Sequence, residues 1–195
     1  MRFVSVFTAT LLFATAAQAH TGVGGTSGLT YGFLHPLGGL DHLLAMVGVG
    51  LLAAFLGGRA LWLVPAAFLV MMATGGLLGV VGVGLPFVEL GIALSIVVIG
   101  GALAWGRSLP LAVAMGLVGF FAVFHGHAHG AEMPAAASGL TYGLGFLAAT
   151  ALLHSAGLAL GFGLDRLAGA ASRKLARAGG AVVGLSGLAI LAGAL

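Results

Sequence analysis

The chain has 195 residues, of which 61% are hydrophobic and only 6% are charged, with seven Lys and Arg against four Asp and Glu. A soluble domain carries about a quarter of its residues as charged ones, so this composition excludes a soluble domain and indicates a polytopic membrane protein. The small cationic excess does not indicate nucleic-acid binding. Because the sequence contains no cysteine, disulfides, thiolate metal sites and cysteine nucleophiles are excluded.

The amino-terminal segment is typical of a secretory signal peptide. Arg2 precedes an apolar stretch, and the sequence AQA at Ala17–Ala19 fits a cleavage site between small residues. We expect cleavage there, which divides the chain into a signal peptide (1–19) and a membrane domain (20–195). His20 would then be the mature amino terminus, on the external side. An uncleaved first helix is the alternative.

After the signal peptide, six apolar segments are long enough to cross about 30 Å of hydrocarbon. We therefore predict an all-α polytopic membrane protein, a bundle of six transmembrane helices. The predicted spans are Phe33–Leu56, Leu61–Val81, Phe87–Trp105, Leu109–His125, Leu140–Phe162 and Gly179–Leu195.

The positive charges predict the orientation of this bundle. With an external amino terminus, every cationic residue of the mature chain falls in one of the three internal loops, which agrees with the positive-inside rule. These residues are Arg59 in the first loop, Arg107 in the second, and Arg166, Arg173, Lys174 and Arg177 in the third. A seven-helix topology with an uncleaved signal keeps the same orientation.

The sequence HPLGGLDHLLAM, which begins at His35, places ionisable residues inside the first span. An ionised Asp at the bilayer centre costs about 2.5–3.5 kcal/mol, so such residues normally face the bundle interior or a water-filled path. His35 and His42 share one stripe of an ideal helix, whereas Asp41 points away from it. Pro36 and the two glycines that follow predict a kink that brings Asp41 towards the histidines.

Imidazole ligands suit Ni, Zn, Cu and Co, and a carboxylate compensates the charge of such an ion, so this stretch predicts a metal site. A proton relay, or histidines that bind backbone carbonyls, are the alternatives.

The sequence FHGHAHGAEMP (Phe124–Pro134) closes the fourth span and is predicted to lie outside the membrane as a histidine-rich loop. If the helix continues, His125, His129 and Glu132 share one face. If the helix opens, His125, His127 and His129 line one side of an extended segment. Either geometry concentrates metal ligands at the external side, and a solvated polar loop is the alternative.

Two further ionisable residues are candidates for metal binding. Glu89 lies in the first turn after Pro86, where a carboxylate stabilises a helix amino terminus, and it also lies at the external mouth. His154, in the fifth span, is either a core histidine or part of a second, inner site.

Small-residue pairs predict close helix contacts in lipid. They are Gly75-x3-Gly79, Gly157-x3-Gly161 and Gly180-x3-Gly184. The hexapeptide SGLTYG occurs at Ser27–Gly32 and again at Ser138–Gly143, which is weak evidence for a parallel repeat.

Together, the two histidine motifs resemble the signatures of the HupE/UreJ family, and the resemblance extends from the signal peptide through the sixth span. It implies a nickel or cobalt permease that serves the maturation of hydrogenase or urease. Metal-handling roles are implied for His35, Asp41, His42, His129 and Glu132, with His125 and His127 as further histidines of the second motif. A wider set of nickel/cobalt transporters has the spacing H-x4-D-H. The spacing here is H-x5-D-H, which argues against that set.

The leading hypothesis is a secondary permease that moves Ni²⁺, or Co²⁺, inward across the inner membrane of a bacterium. His20 and the histidine-rich segment would capture the ion from the periplasm, and Glu89 and Glu132 would make the mouth electronegative. We expect no enzymatic activity and no tightly bound cofactor. The expected partners are the metal ion and the lipid bilayer. A homo-oligomer is compatible with the sequence. The sequence has no Walker A motif, so ATP hydrolysis is not expected.

Two other functions are compatible with these residues. One is an intramembrane metal-dependent hydrolase, in which the His/Asp cluster would activate water. The other is a haem-binding electron carrier with His42 and His154 as axial ligands.

Overall fold

The computed structural model describes residues 28–135 and 137–193. Within these residues the protein is helical and contains no strand, so the all-α prediction is confirmed. The helices are α1 (Gly28–Leu34), α2 (Leu40–Leu56), α3 (Ala60–Val80), α4 (Val88–Trp105), α5 (Leu111–Ala131), α6 (Gly139–Ala168) and α7 (Ser172–Leu191), with 3₁₀ turns at His35–Leu37 and Gly169–Ala171. The predicted signal peptide and His20 lie outside the described residues.

Within the described residues, length and apolarity identify four stretches that could cross a membrane, or five if a bent helix pair counts as one span. They are Ala60–Val80, Val88–Trp105, Leu111–Ala131 and Gly139–Leu191, and the bent pair is Gly28–Leu37 with Leu40–Leu56. The multi-pass character of the protein is therefore clear. The six-span count stays a prediction, because the stretch that contains α6 and α7 qualifies as a single unit of 53 residues.

The predicted kink in the first span is confirmed, and it is a full break. The segments before and after it are bent by 83°. Pro36 lies in the 3₁₀ turn, and Gly39 has extended backbone angles (φ −104°, ψ 124°) immediately before α2. Proline removes a helical donor and glycine weakens a helix, so the sequence itself explains the break.

The three predicted glycine pairs all lie where helix backbones touch. Gly75 faces the backbone of Val123, and Gly79 faces that of His127, so α3 and α5 pack closely and run in the same direction. In the same way, Gly157 packs α6 against α2, and Gly184 packs α7 against α4. Because glycine has no side chain, these helices approach closely enough for their backbones to be in contact.

The helix directions place the histidines and the cations at opposite ends of the bundle. The start of α2 and the end of α5 lie together, since His35 contacts Glu132. At the other end, the Arg177 Nε donates to the Ala104 carbonyl at 3.0 Å, and the Arg173 guanidinium lies 5.7 Å from the Phe55 ring centroid.

The prediction that the four cations between the fifth and sixth spans lie in a loop is wrong, whereas their internal position stays a prediction. Arg166 lies near the end of α6. The other three, Arg173, Lys174 and Arg177, lie in the first turns of α7. The three-residue turn Gly169–Ala171 joins the two helices. Long cationic side chains can extend from a helix end towards water. The presence of these cations is therefore compatible with helix where a loop was predicted.

Candidate metal centre

The histidine-rich segment is helical and buried. The helix α5 continues to Ala131, and His125, His127 and His129 are 0%, 8% and 2% exposed. The predicted end of this span at His125, the loop and the extended segment are therefore wrong, and the predicted alternative of a continuous helix is confirmed. The external position of the segment stays a prediction. Gly126 and Gly130 explain this burial, because each lies against the backbone of α3 and has no side chain to keep the helices apart.

Asp41 holds the imidazole of its neighbour, His42. The Asp41 Oδ1 accepts hydrogen bonds from the His42 backbone N–H at 2.7 Å and from His42 Nδ1 at 2.8 Å. An ionised carboxylate can only accept, so Nδ1 carries the proton, and Nε2 of the neutral ring has a free lone pair. This Nε2 is buried and has no hydrogen-bond partner among the described residues.

Two histidines of α5 surround the ring of His42. The His42 ring centroid lies 4.4 Å from that of His129 and 4.9 Å from that of His125. Both ring nitrogens of His129 are buried without a partner in the described structure. Three imidazoles from two helices are thus in contact, and each has at least one unpartnered nitrogen.

A cleft of about 340 Å³ opens above this cluster. Its ionisable lining residues are His35, Asp41, His42, Glu89, His129 and Glu132. The His35 Nε2 donates to Glu132 Oε2 at 3.1 Å, and the Glu132 side chain is 57% exposed. Glu89 projects into the same cleft from the first turn of α4. The structure therefore brings together most of the residues that the two motifs predicted, at one end of the bundle.

Two predicted candidates lie apart from this cleft. The His127 Nε2 donates to the Val83 carbonyl at 2.7 Å, so this side chain supports the segment between α3 and α4. His154 is 2% exposed in α6, and the ring of Phe68 contacts both His154 and His125, at centroid distances of 5.0 and 5.6 Å. Phe68 therefore lies between the histidine cluster and His154.

No three His, Asp or Glu side chains are arranged to hold one metal ion within residues 28–135 and 137–193. The rings of His42 and His129 are inclined at 64°, and those of His42 and His125 at 88°, so they meet edge to face. Side-chain rotation between staggered conformers would be needed to direct their free nitrogens at one point.

Sequence reasoning missed several residues that contact these histidines, namely Tyr31, Phe68, Ser95, Tyr142 and Phe146. The Ser95 Oγ lies 2.9 Å from His125 Nε2, and the Tyr142 ring contacts that of His35 at 6.2 Å. Tyr142 belongs to the second SGLTYG hexapeptide, which could have indicated it. A single Ser or Phe in an apolar helix gives no such signal.

The family model described as HupE / UreJ protein matches residues 8–190 of the chain. The protein named Protein HupE from Rhizobium leguminosarum bv. viciae is 46% identical over 186 residues, and the match covers 95% of each chain. No solved structure matches the chain.

Proposed function

Because the chain belongs to the HupE/UreJ family, we propose that it is a secondary permease that carries Ni²⁺, with Co²⁺ as the alternative cargo, inward across a bacterial cytoplasmic membrane. The imported metal would serve the maturation of a nickel enzyme, a hydrogenase or a urease. The metal is the transported substrate, and no resident cofactor is invoked.

The contact between a cluster of imidazoles and an acidic cleft carries this proposal, because His42 and His129 belong to both. Glu89 and Glu132 give the cleft negative charge, which attracts a divalent cation. In the same cleft, His42 and His129 present unpartnered nitrogens, which are suitable ligands for Ni²⁺ and Co²⁺. A transport site must also release its ion, and a few nitrogen and oxygen ligands bind less tightly than a thiolate cage.

Six spans and an external cleft fit the helix lengths and the charge distribution. A continuous helix of 53 residues would be about 80 Å long, far more than the hydrocarbon thickness, so the turn at Gly169–Ala171 supports two spans, α6 and α7. The end that carries Arg173 and Arg177 would face the cytoplasm under the positive-inside rule. The cleft would then open to the periplasm.

The membrane potential is sufficient to drive this movement. A divalent cation that moves inward gains about 4.6 kcal/mol per 100 mV of potential, since each charge gains about 2.3. The proposed mechanism therefore needs no ATP hydrolysis by this chain.

Uptake of radioactive nickel into proteoliposomes with an imposed membrane potential tests the proposal. We expect His35→Ala, Asp41→Ala and His42→Ala each to abolish most of the uptake. Asp165→Asn is the matched control, because Asp165 is an exposed acid at the opposite end of the bundle. Size-exclusion profiles and helical content would show that each variant is folded. Uptake at the wild-type rate in all three alanine variants would refute the proposed site.

A further inference from the structure

Ser95 of α4 is completely buried beside the histidine cluster. Its Oγ lies 2.6 Å from the Ile92 carbonyl oxygen and 2.9 Å from His125 Nε2. Two oxygens at 2.6 Å need a proton between them, and a hydroxyl has only one proton to give. Ser95 therefore donates to the Ile92 carbonyl, and its Oγ accepts a hydrogen bond from the Nε2–H of His125.

This hydrogen bond determines the tautomer of His125. A neutral imidazole carries one N–H, so a proton on Nε2 leaves a lone pair on Nδ1. The Nδ1 of His125 is buried and has no hydrogen-bond partner in the part of the chain that the structure describes. His42 shows the same arrangement, because Asp41 holds its Nδ1 and leaves its Nε2 free.

We propose that Ser95 is a positioning residue for metal transport, and that His125 Nδ1 forms an all-imidazole station with His42 and His129, two residues that also line the acidic cleft. The inference rests on the proposed function, since it names the inner ligand set of the same pathway. Ligating histidines usually donate their other N–H to an acceptor, which fixes the tautomer. Ser95 supplies that acceptor for His125, as Asp41 does for His42.

The station would select the ion that the cleft attracts. Carboxylates such as Glu89 and Glu132 attract any divalent cation, including Mg²⁺ and Ca²⁺. Neutral imidazoles favour Ni²⁺ and Co²⁺ over those hard cations. An ion that passes from the carboxylates of the cleft to the imidazoles of the station therefore exchanges oxygen ligands for nitrogen ligands, and Mg²⁺ would remain at the carboxylates.

The tautomer can be measured directly on the full-length, metal-free protein in lipid bilayers. Solid-state NMR of protein labelled with ¹⁵N-histidine distinguishes protonated from unprotonated ring nitrogens, and His125→Gln identifies the His125 signals. We expect a protonated Nε2 and an unprotonated Nδ1 in the wild type. A wild-type His125 that carries its proton on Nδ1 would overturn the proposal, whether or not the protein transports nickel.

Equilibrium binding of radioactive Ni²⁺ to the protein in nanodiscs supplies the second measurement. We expect Ser95→Ala to bind Ni²⁺ about 10- to 100-fold more weakly and to lose discrimination against Mg²⁺, and Ser95→Thr to restore part of the affinity through its hydroxyl.

Ser155→Ala is the matched control for this binding experiment. Ser155 makes the same kind of bond to its own helix, to the Ala151 carbonyl at 2.8 Å, but it is exposed. A folded Ser95→Ala protein that binds Ni²⁺ as tightly as the wild type would also overturn the proposal. If Ser95→Ala does not fold, the tautomer of His125 in the wild type and the Ni²⁺ affinity of Ser95→Thr still test the proposal. Absence of any nickel uptake by the wild type would refute the proposed function, and the tautomer measured on the metal-free protein would be unaffected.

Discussion

The Asp41 carboxylate accepts the Nδ1 proton of His42 at 2.8 Å, and this directs the other ring nitrogen of His42 into the bundle. The acid of the first motif therefore orients a histidine in addition to lining the cleft. Carboxylate–histidine pairs of this kind are common behind metal ions, because they fix the imidazole tautomer and increase its basicity.

Asp41→Asn is expected to weaken nickel binding about 10- to 100-fold while the fold is retained. The asparagine amide has nearly the same shape, and its oxygen can still accept from the His42 backbone N–H and Nδ1, but it lacks the negative charge that increases the basicity of the imidazole. Equilibrium Ni²⁺ binding in nanodiscs measures the effect. Affinity equal to that of the wild type would show that the negative charge behind His42 does not contribute to nickel binding.

Two histidines of one helix provide a matched pair of variants. His129→Gln is expected to reduce nickel uptake more than tenfold, because His129 contacts both His35 and His42 in the cluster. His127→Gln should retain most of the uptake, since a glutamine amide can still donate to the Val83 carbonyl. Initial uptake rates at equal protein density in proteoliposomes compare the two. Equal loss in both variants would contradict the assignment of His127 to a structural role.

The charge of Glu132 is expected to affect capture more than movement of the ion. Its side chain is 57% exposed at the mouth of the cleft, so Glu132→Gln should raise the half-saturating Ni²⁺ concentration several-fold and leave the maximal rate nearly unchanged. Added salt should raise the half-saturating Ni²⁺ concentration of the wild type in the same way, because salt screens exposed charges. Uptake rates measured over a series of Ni²⁺ concentrations at two ionic strengths test this prediction. A large fall in maximal rate would place Glu132 in the transport step itself.

The contact between α3 and α5 should not tolerate a side chain. A Cβ at Gly126 would overlap the Met72 carbonyl, and backbone atoms cannot move aside easily. Gly126→Ala is therefore expected to destabilise the protein by about 1–3 kcal/mol and to displace the histidines of α5. Gly116→Ala is the control in the same helix, because its Cβ would meet open space. Thermal unfolding in detergent compares the two, and equal melting temperatures would contradict the packing.

The orientation can be tested by labelling, because the chain has no cysteine of its own. Val83 is 49% exposed near the histidine end, and Leu167 is 91% exposed at the cationic end. We expect a membrane-impermeant maleimide to label Val83→Cys in intact spheroplasts, and Leu167→Cys only after permeabilisation. The reverse pattern would invert the proposed orientation and place the cleft in the cytoplasm.

The sequence by itself determined the local features of this protein. Apolar segments predicted the helices, and Pro36 and Gly39 predicted the break before α2, since both residues act on the backbone at their own position. The glycine pairs such as Gly75 and Gly79 predicted which faces would pack closely. The two motifs also predicted most of the ionisable residues that line the cleft.

Only the tertiary structure decided which of these residues act together. The helix of the second motif continues and becomes buried because α3 covers it, and that contact turns His127 towards Val83 while His125 and His129 face His42. Ser95 reaches His125 from another helix. Such contacts depend on how helices far apart in sequence pack, and no local pattern of residues encodes that packing.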